Sequence, residues 1–138
     1  MRTVIFACVR NAGRSQMAAA FFNALADPSR AYATSAGTQP AAHVHPEVAA
    51  VMREAGHDLS TATPTRLTDD LAASAALLVT MGCGEACPFV SGLRREDWNL
   101  PDPLGQPLDR VRAIRDDIRA RVERLVTDNG WRRPPGTS

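Results

Sequence analysis

The chain has 138 residues, 44% apolar and 22% charged, the size and composition of one globular domain able to bury its own core. No apolar run is long enough to span a bilayer, the N-terminus lacks the form of a cleavable signal, and a net charge of +1 leaves no broad footprint for nucleic acid or anionic lipid. A cytoplasmic protein with no membrane or nucleic-acid partner is expected, and a monomer, in which any anion must be met by local geometry.

Thr3 to Ala7 is a β-branched and apolar run of strand length, followed by a glycine-containing loop and a helix over Arg14 to Ala26. Ala31 to Ser35, closed by Ala36-Gly37, predicts a second strand. Pro46 to Ala55 predicts a helix with proline in its first turn and Gly56 just beyond its end. A short helix over Thr68 to Ala73 leads into a buried strand over Ala76 to Met81, and Trp98 to Leu100 reads as one more short strand. Leu108, Val111, Ile118, Val122 and Leu125 recur at helical spacing, so Leu108 to Val126 is a long amphipathic closing helix. Strands alternating with helices imply an α/β, doubly wound, three-layer αβα architecture with a parallel sheet of about four strands. The expected organisation is a single catalytic domain over 1–129 and a flexible C-terminal tail over 130–138.

Ligands in such sheets sit at the carboxyl ends of the strands, and two cysteine-bearing segments fall there, after the first strand and after the strand ending at Met81. The first, Cys8-Val9-Arg10-Asn11-Ala12-Gly13-Arg14-Ser15, is a tight turn between strand and helix. Successive N–H groups of Val9 to Arg14 would face inward as an anion nest, backed by the positive end of the helix. Gly13 permits close backbone approach, and Arg14 presents a planar fork to two oxygens of a tetrahedral oxyanion. The same dipoles favour a thiolate at Cys8, with the Ser15 hydroxyl placed to donate to it, which makes Cys8 a nucleophile rather than an inert core thiol. Asn11 can take a left-handed backbone or brace the loop through its amide.

This loop resembles that of the low-molecular-weight protein tyrosine phosphatases and of the arsenate reductases built on the same fold, and the likeness runs over all but the tail. It implies covalent attack by Cys8, anion binding by Arg14 and a general acid on an Asp-Pro loop. Trp98-Asn99-Leu100-Pro101-Asp102-Pro103 matches that loop, with Asp102 in the acid's place. Within the family, phosphatases follow the Arg-Ser pair with proline and the Asp-Pro pair with tyrosine. Here Gln16-Met17 and Leu104 stand instead, and Tyr32 is far from the acid loop in sequence.

Chemistry separates the two branches further. Reducing arsenate takes two electrons, which two thiols supply by becoming a disulfide. Gly82-Cys83-Gly84-Glu85-Ala86-Cys87 supplies the extra thiols, four residues apart and within disulfide reach on a helical turn. The thioredoxin-coupled reductases imply a relay in which Cys83 attacks the Cys8 adduct and Cys87 then takes over the disulfide, leaving Cys83–Cys87 as the redox-active pair for thioredoxin. Gly82 to Val90 is then expected to move. A zinc site built on the two cysteines would need two more ligands, and His43, His45 and His57 form no completing pair. Some members hold potassium with an acidic residue near Ala19, which alanine cannot do, so neither a metal nor another bound cofactor is expected. The reading is an arsenate reductase, with phosphate and sulfate as competing oxyanions. A phosphomonoesterase, a mycothiol-coupled reductase that needs only Cys8, and a non-catalytic thiol protein binding oxyanions or arsenite are the alternatives.

Overall fold

The computed structural model describes residues 2–82 and 91–134. Their elements in chain order are β1 (Arg2–Cys8), α1 (Arg14–Leu25), β2 (Ala31–Gly37), α2 (Pro46–Glu54), α3 (Asp69–Ala73), β3 (Leu77–Thr80), β4 (Arg94–Asp97) and α4 (Leu108–Asp128). They build a four-stranded sheet in the order β2-β1-β3-β4, parallel throughout, as the alternation of elements predicts.

β1 is apolar at every position from Val4 to Cys8 because it is a central strand with both faces covered. Val4, Phe6 and Cys8 face the larger core with Met17 and Phe22 of α1, Val48 and Met52 of α2, and Ile114, Ile118 and Val122 of α4. Ile5 and Ala7 face the smaller one, closed by Leu67, Ala72 of α3 and Leu78. The Phe6 ring meets Phe22 edge-on at 5.8 Å and Trp98 at 5.7 Å, so the acid-loop segment starts from an aromatic anchor in the main core. Arg112 and Arg115 of α4 both pair with Glu54, tying α4 to α2.

The fourth strand differs from expectation. It is Arg94–Asp97, four charged residues, whereas Trp98 to Leu100 lies beyond it. An edge strand bonds on one side only and keeps its side chains in water, so no apolar period marks it. Trp98 N–H still donates to Thr80 O at 2.8 Å, which extends the ladder by one bond into the next segment.

Residues 130–133, expected within the tail, make contacts with the end of α1. Ala26 and Arg132 form an antiparallel bridge, Asp27 N–H donates to Trp131 O at 2.7 Å, Arg133 N–H donates to Leu25 O at 3.0 Å, and Trp131 packs edge-on against Phe22. Aromatic burial thus holds residues 130–133 against the end of α1. The expected tail residues 135–138 lie outside the described residues, as do Cys83 and Cys87.

The strand order places a topological switch beside β1: the chain steps from β1 to β2 on one side and returns to β3 on the other. The crevice for a ligand in such a sheet opens at the carboxyl end of the central strand, which here is Cys8.

Candidate active site

α1 begins directly after the Cys8 loop with Gly13 at its N-cap, no capping side chain and no acidic residue in the first turn. Its orphan N–H groups and the positive end of its dipole are therefore left for whatever occupies the loop.

The loop owes its shape to its carbonyls, all of which are held from outside. Thr38 N–H donates to Cys8 O (3.3 Å), Gln39 N–H to Val9 O (2.8 Å), Ala41 N–H to Arg10 O (2.9 Å) and His45 N–H to Ala12 O (2.9 Å). Gln16 Nε2 donates to Asn11 O at 3.0 Å and Met17 N–H to Gly13 O at 3.1 Å. With every C=O turned outward and satisfied, the peptide planes present N–H on the other side. Among the described residues, the N–H groups of Val9, Arg10, Ala12 and Gly13 have no protein acceptor. The arrangement is an anion nest at a helix N-terminus.

Cys8 is a free thiol, 2% exposed, at the base of the nest. Its Sγ shares a hydrogen bond with Ser15 Oγ at 2.9 Å and accepts from Asn11 N–H at 3.3 Å. Asn11 is fully buried with φ of +50°, a left-handed conformation that asparagine tolerates. Its amide spans the loop: Nδ2 donates to Ser15 Oγ at 2.7 Å, and Oδ1 accepts from Thr65 N–H at 2.8 Å and Gln16 Nε2 at 3.3 Å. A buried chain of hydrogen bonds thus runs from Gln16 through Asn11 and Ser15 to the sulfur.

Arg14 is 9% exposed. Its Nη1 donates to Leu100 O at 3.0 Å, and its Nη2 lies 4.0 Å from Asp102 Oδ2. One guanidinium therefore joins the nest to the Asp-Pro loop, and Asp102, half-exposed, stands over the same mouth. Asp102 Oδ1 accepts from Leu104 N–H at 3.0 Å, which orients the carboxylate. Pro103 is buried against Gly13: a Cβ on Gly13 would sit 2.9 Å from Pro103 Cγ and 3.5 Å from His45 Cδ2. Leu104 is 49% exposed beyond the acid, and Arg10 is exposed on the rim. Tyr32 lies on β2 beside Gln16, Asn23 and Thr63, so it does not wall the mouth. Asp97 ends β4 nearby, and the Thr80 hydroxyl, then Arg95, hold its carboxyl below the ordinary carboxylate range.

Of the expected site residues, Cys8, Asn11, Arg14, Ser15 and Asp102 meet around this mouth. Cys83 and Cys87 lie outside the described residues, but Gly82, just before Cys83, backs directly onto Arg14. Among the described residues no group of three or more His, Cys, Asp or Glu is gathered as metal ligands, and no helix is long and apolar enough to cross a membrane.

Several contributors carry no motif. The strap from Thr38 to His45 shapes the nest through backbone N–H groups, which leave no residue signature. Gln16 braces Asn11 from inside the helix. Gly37 must be glycine because a Cβ there would lie 2.6 Å from Val9 O and 2.9 Å from Asn11 N; its place at a strand end was the available signal.

Known proteins resemble this chain in sequence and fold. A Halobacterium salinarum relative is 43% identical, over 89% of each chain. The glutaredoxin arsenate reductase of Synechocystis is 36% identical, over 91% of this chain and 97% of that one. The solved thioredoxin-dependent arsenate reductase of Corynebacterium glutamicum superposes with a TM-score of 0.80 at 37% identity, over 93% of this chain and 61% of that longer one. Residues 3–130 match a single family along nearly their whole length: the chain belongs to the low molecular weight phosphotyrosine protein phosphatase family.

Proposed function

We propose that the protein is an arsenate reductase in which Cys8 is the nucleophile, the nest and Arg14 bind the oxyanion, and Asp102 is the general acid. The observation that carries the reading is the convergence of a buried free thiol, bonded to Ser15, with a ring of inward N–H groups and a guanidinium beside a carboxylate. Relatives that span most of the chain and bear the arsenate reductase name support the choice of arsenate.

Arsenate enters the nest with its oxygens on the N–H groups and on Arg14, which lowers the cost of bringing a thiolate to an anion. The Cys8 sulfur attacks arsenic while Asp102 gives its proton to the departing oxygen, so a sulfur–arsenic bond forms and water leaves. The Cys83 thiolate then attacks Cys8 Sγ. The electron pair of the sulfur–arsenic bond goes to arsenic, which leaves as arsenite, and the two thiols become the Cys8–Cys83 disulfide. Cys87 attacks Cys83, frees Cys8 and leaves Cys83–Cys87 for a dithiol reductant. Thioredoxin is the proposed reductant, on the likeness to the Corynebacterium enzyme and on the presence of a second and third thiol; glutaredoxin is the competitor named by the Synechocystis relative.

Binding cannot distinguish this reading from phosphoester hydrolysis, because phosphate and arsenate suit the same nest. The exposed Leu104 beyond the acid and the distant Tyr32 offer no aromatic wall to an aryl ester. The decisive experiment is single-turnover arsenate reduction with thiol counting. Two thiols should be lost per arsenite formed, and Cys83→Ser should stop turnover while sparing any hydrolysis of p-nitrophenyl phosphate. Arsenite formation without thiol loss, or unchanged turnover in Cys83→Ser, would rule the relay out.

A further inference from the structure

Gly82 is the second residue after β3; Met81, between them, donates its N–H to Ala7 O at 2.7 Å and so fixes the chain against β1. Its φ is +97°, and a Cβ built on it would stand 2.5 Å from Arg14 Nη1, 3.1 Å from Nη2 and 3.1 Å from Cζ. The backbone of Gly82 is therefore the surface against which the Arg14 guanidinium lies. Leu100 O holds Nη1 and Asp102 faces Nη2. We propose that Gly82 is a positioning residue for oxyanion binding: its missing side chain is the seat that lets Arg14 present its fork to the nest.

The inference rests on Arg14 being the anion ligand of the proposed function, and it adds a role to a glycine that the relay treats only as a place for the chain to bend. The steric conflict falls on one group. The three atoms nearest to a Cβ all belong to the Arg14 head, the far end of a long side chain, so the fold can survive by displacing that head. A displaced guanidinium loses its Leu100 contact and its two-point approach to the anion, and Arg14 has little room to regain them because it is 9% exposed.

Positive φ alone strains any alanine, so the comparison needs a glycine that carries the strain without the contact. Gly56 supplies it: φ is +88°, with nothing within 4 Å of a notional Cβ. The measurement is phosphate protection of Cys8 against iodoacetamide, read on the Cys8 peptide by mass spectrometry, which needs no turnover. Gly82→Ala should weaken phosphate protection roughly ten-fold or more, the loss of about one charge-assisted hydrogen bond, whereas Gly56→Ala should match wild type. Added to Arg14→Lys, Gly82→Ala should cost nothing further, because the group it displaces is gone.

Wild-type protection in a folded Gly82→Ala protein, or an equal loss in the Arg14→Lys background, overturns the proposal. Should Gly82→Ala not fold, nuclear Overhauser contacts between the Arg14 guanidinium protons and Gly82 Hα in the wild-type protein decide it, present in support and absent against. A wild-type protein protected by phosphate but unable to reduce arsenate removes the proposed function and leaves Gly82's role standing. Failure of phosphate to protect wild type overturns both.

Discussion

Asn11→Ala is the change that most directly tests how the nest holds its shape. Asparagine here sits at φ of +50°, and alanine pays about 1 kcal/mol or slightly more for that conformation. The amide bonds to Ser15 Oγ at 2.7 Å and from Thr65 N–H at 2.8 Å disappear, at about 1 kcal/mol net each. None of the three partners is stranded: Ser15 Oγ keeps Cys8 Sγ, Gln16 Nε2 keeps Asn11 O, and Thr65 is exposed enough to turn its N–H to water. The sum is about 3 kcal/mol, or a fall in Tm of about 10 °C for a domain of this size. Asn11→Gly loses the same amide bonds but not the left-handed conformation, so it should stand about 0.5 to 1 kcal/mol above the alanine variant after its own chain-entropy cost. Urea denaturation of wild type and both variants measures this, with iodoacetamide modification of Cys8 followed in parallel, since freeing Ser15 from Asn11 loosens its hold on the sulfur. An alanine variant within 0.5 kcal/mol of wild type, or no gap between alanine and glycine, refutes the account of Asn11 as a strained brace.

Two further substitutions bear on other parts of the structure. Gly37→Ala drives a Cβ into backbone atoms at Val9 and Asn11, which unlike a side-chain tip cannot swing aside. It should cost about 1–3 kcal/mol by denaturation and abolish phosphate protection of Cys8. His57 is held below its ordinary value near 6.5 by burial against Phe21 and by Arg119. The unfolded chain therefore takes up the proton first, so the contribution of neutral His57 is complete above about pH 6.5 and is lost as pH falls below it. Asp27, Glu54, Asp58 and Asp97 are held low and keep their contributions until pH nears about 4, so the fall in Tm between pH 7 and 5.5 should shrink in His57→Gln.

The local geometry of the candidate site was legible because it is written in consecutive residues. A strand, a glycine turn, an arginine, a serine and a helix stand in one line, and the geometry of a βα turn at a sheet's carboxyl edge follows from that order. Asp102 was legible for a similar reason, lying between prolines in a short loop. What escaped was whatever depends on chain segments meeting from far apart. The strap from Thr38 to His45 acts through peptide N–H groups, for which any residue but proline would serve. Gln16 reads as one more helix former until Asn11 is seen folded back on it. Gly37 and Gly82 look like ordinary punctuation, and only the approach of Val9 O and of Arg14 shows what a Cβ at each position would meet. The charged strand Arg94–Asp97 was missed because a sheet edge exposed to water imposes no apolar alternation. Trp98, the strongest apolar signal nearby, marks instead the core anchor of the segment that follows.

The strand order explains why these separate pieces meet on one side chain. β1 ends in Cys8, its neighbour β3 ends two residues before Gly82, and the chain leaving β4 runs through Trp98 and Leu100 to Asp102, so three adjacent parallel strands deliver three segments to one edge. Arg14 touches all of them: it follows the nest, lies on Gly82 and donates to Leu100 O beside Asp102. In the proposed cycle Cys83, one residue beyond Gly82, travels to Cys8 once the arsenic adduct has formed, when the site must change from holding an oxyanion to releasing arsenite. The chain that carries Cys83 begins beside the Arg14 guanidinium, at Gly82. A phosphatase built on the same nest has no such need, since water, not a neighbouring thiol, completes its turnover. The seam between Arg14 and the end of β3 is accordingly where the two chemistries of this fold place different demands on the same arginine.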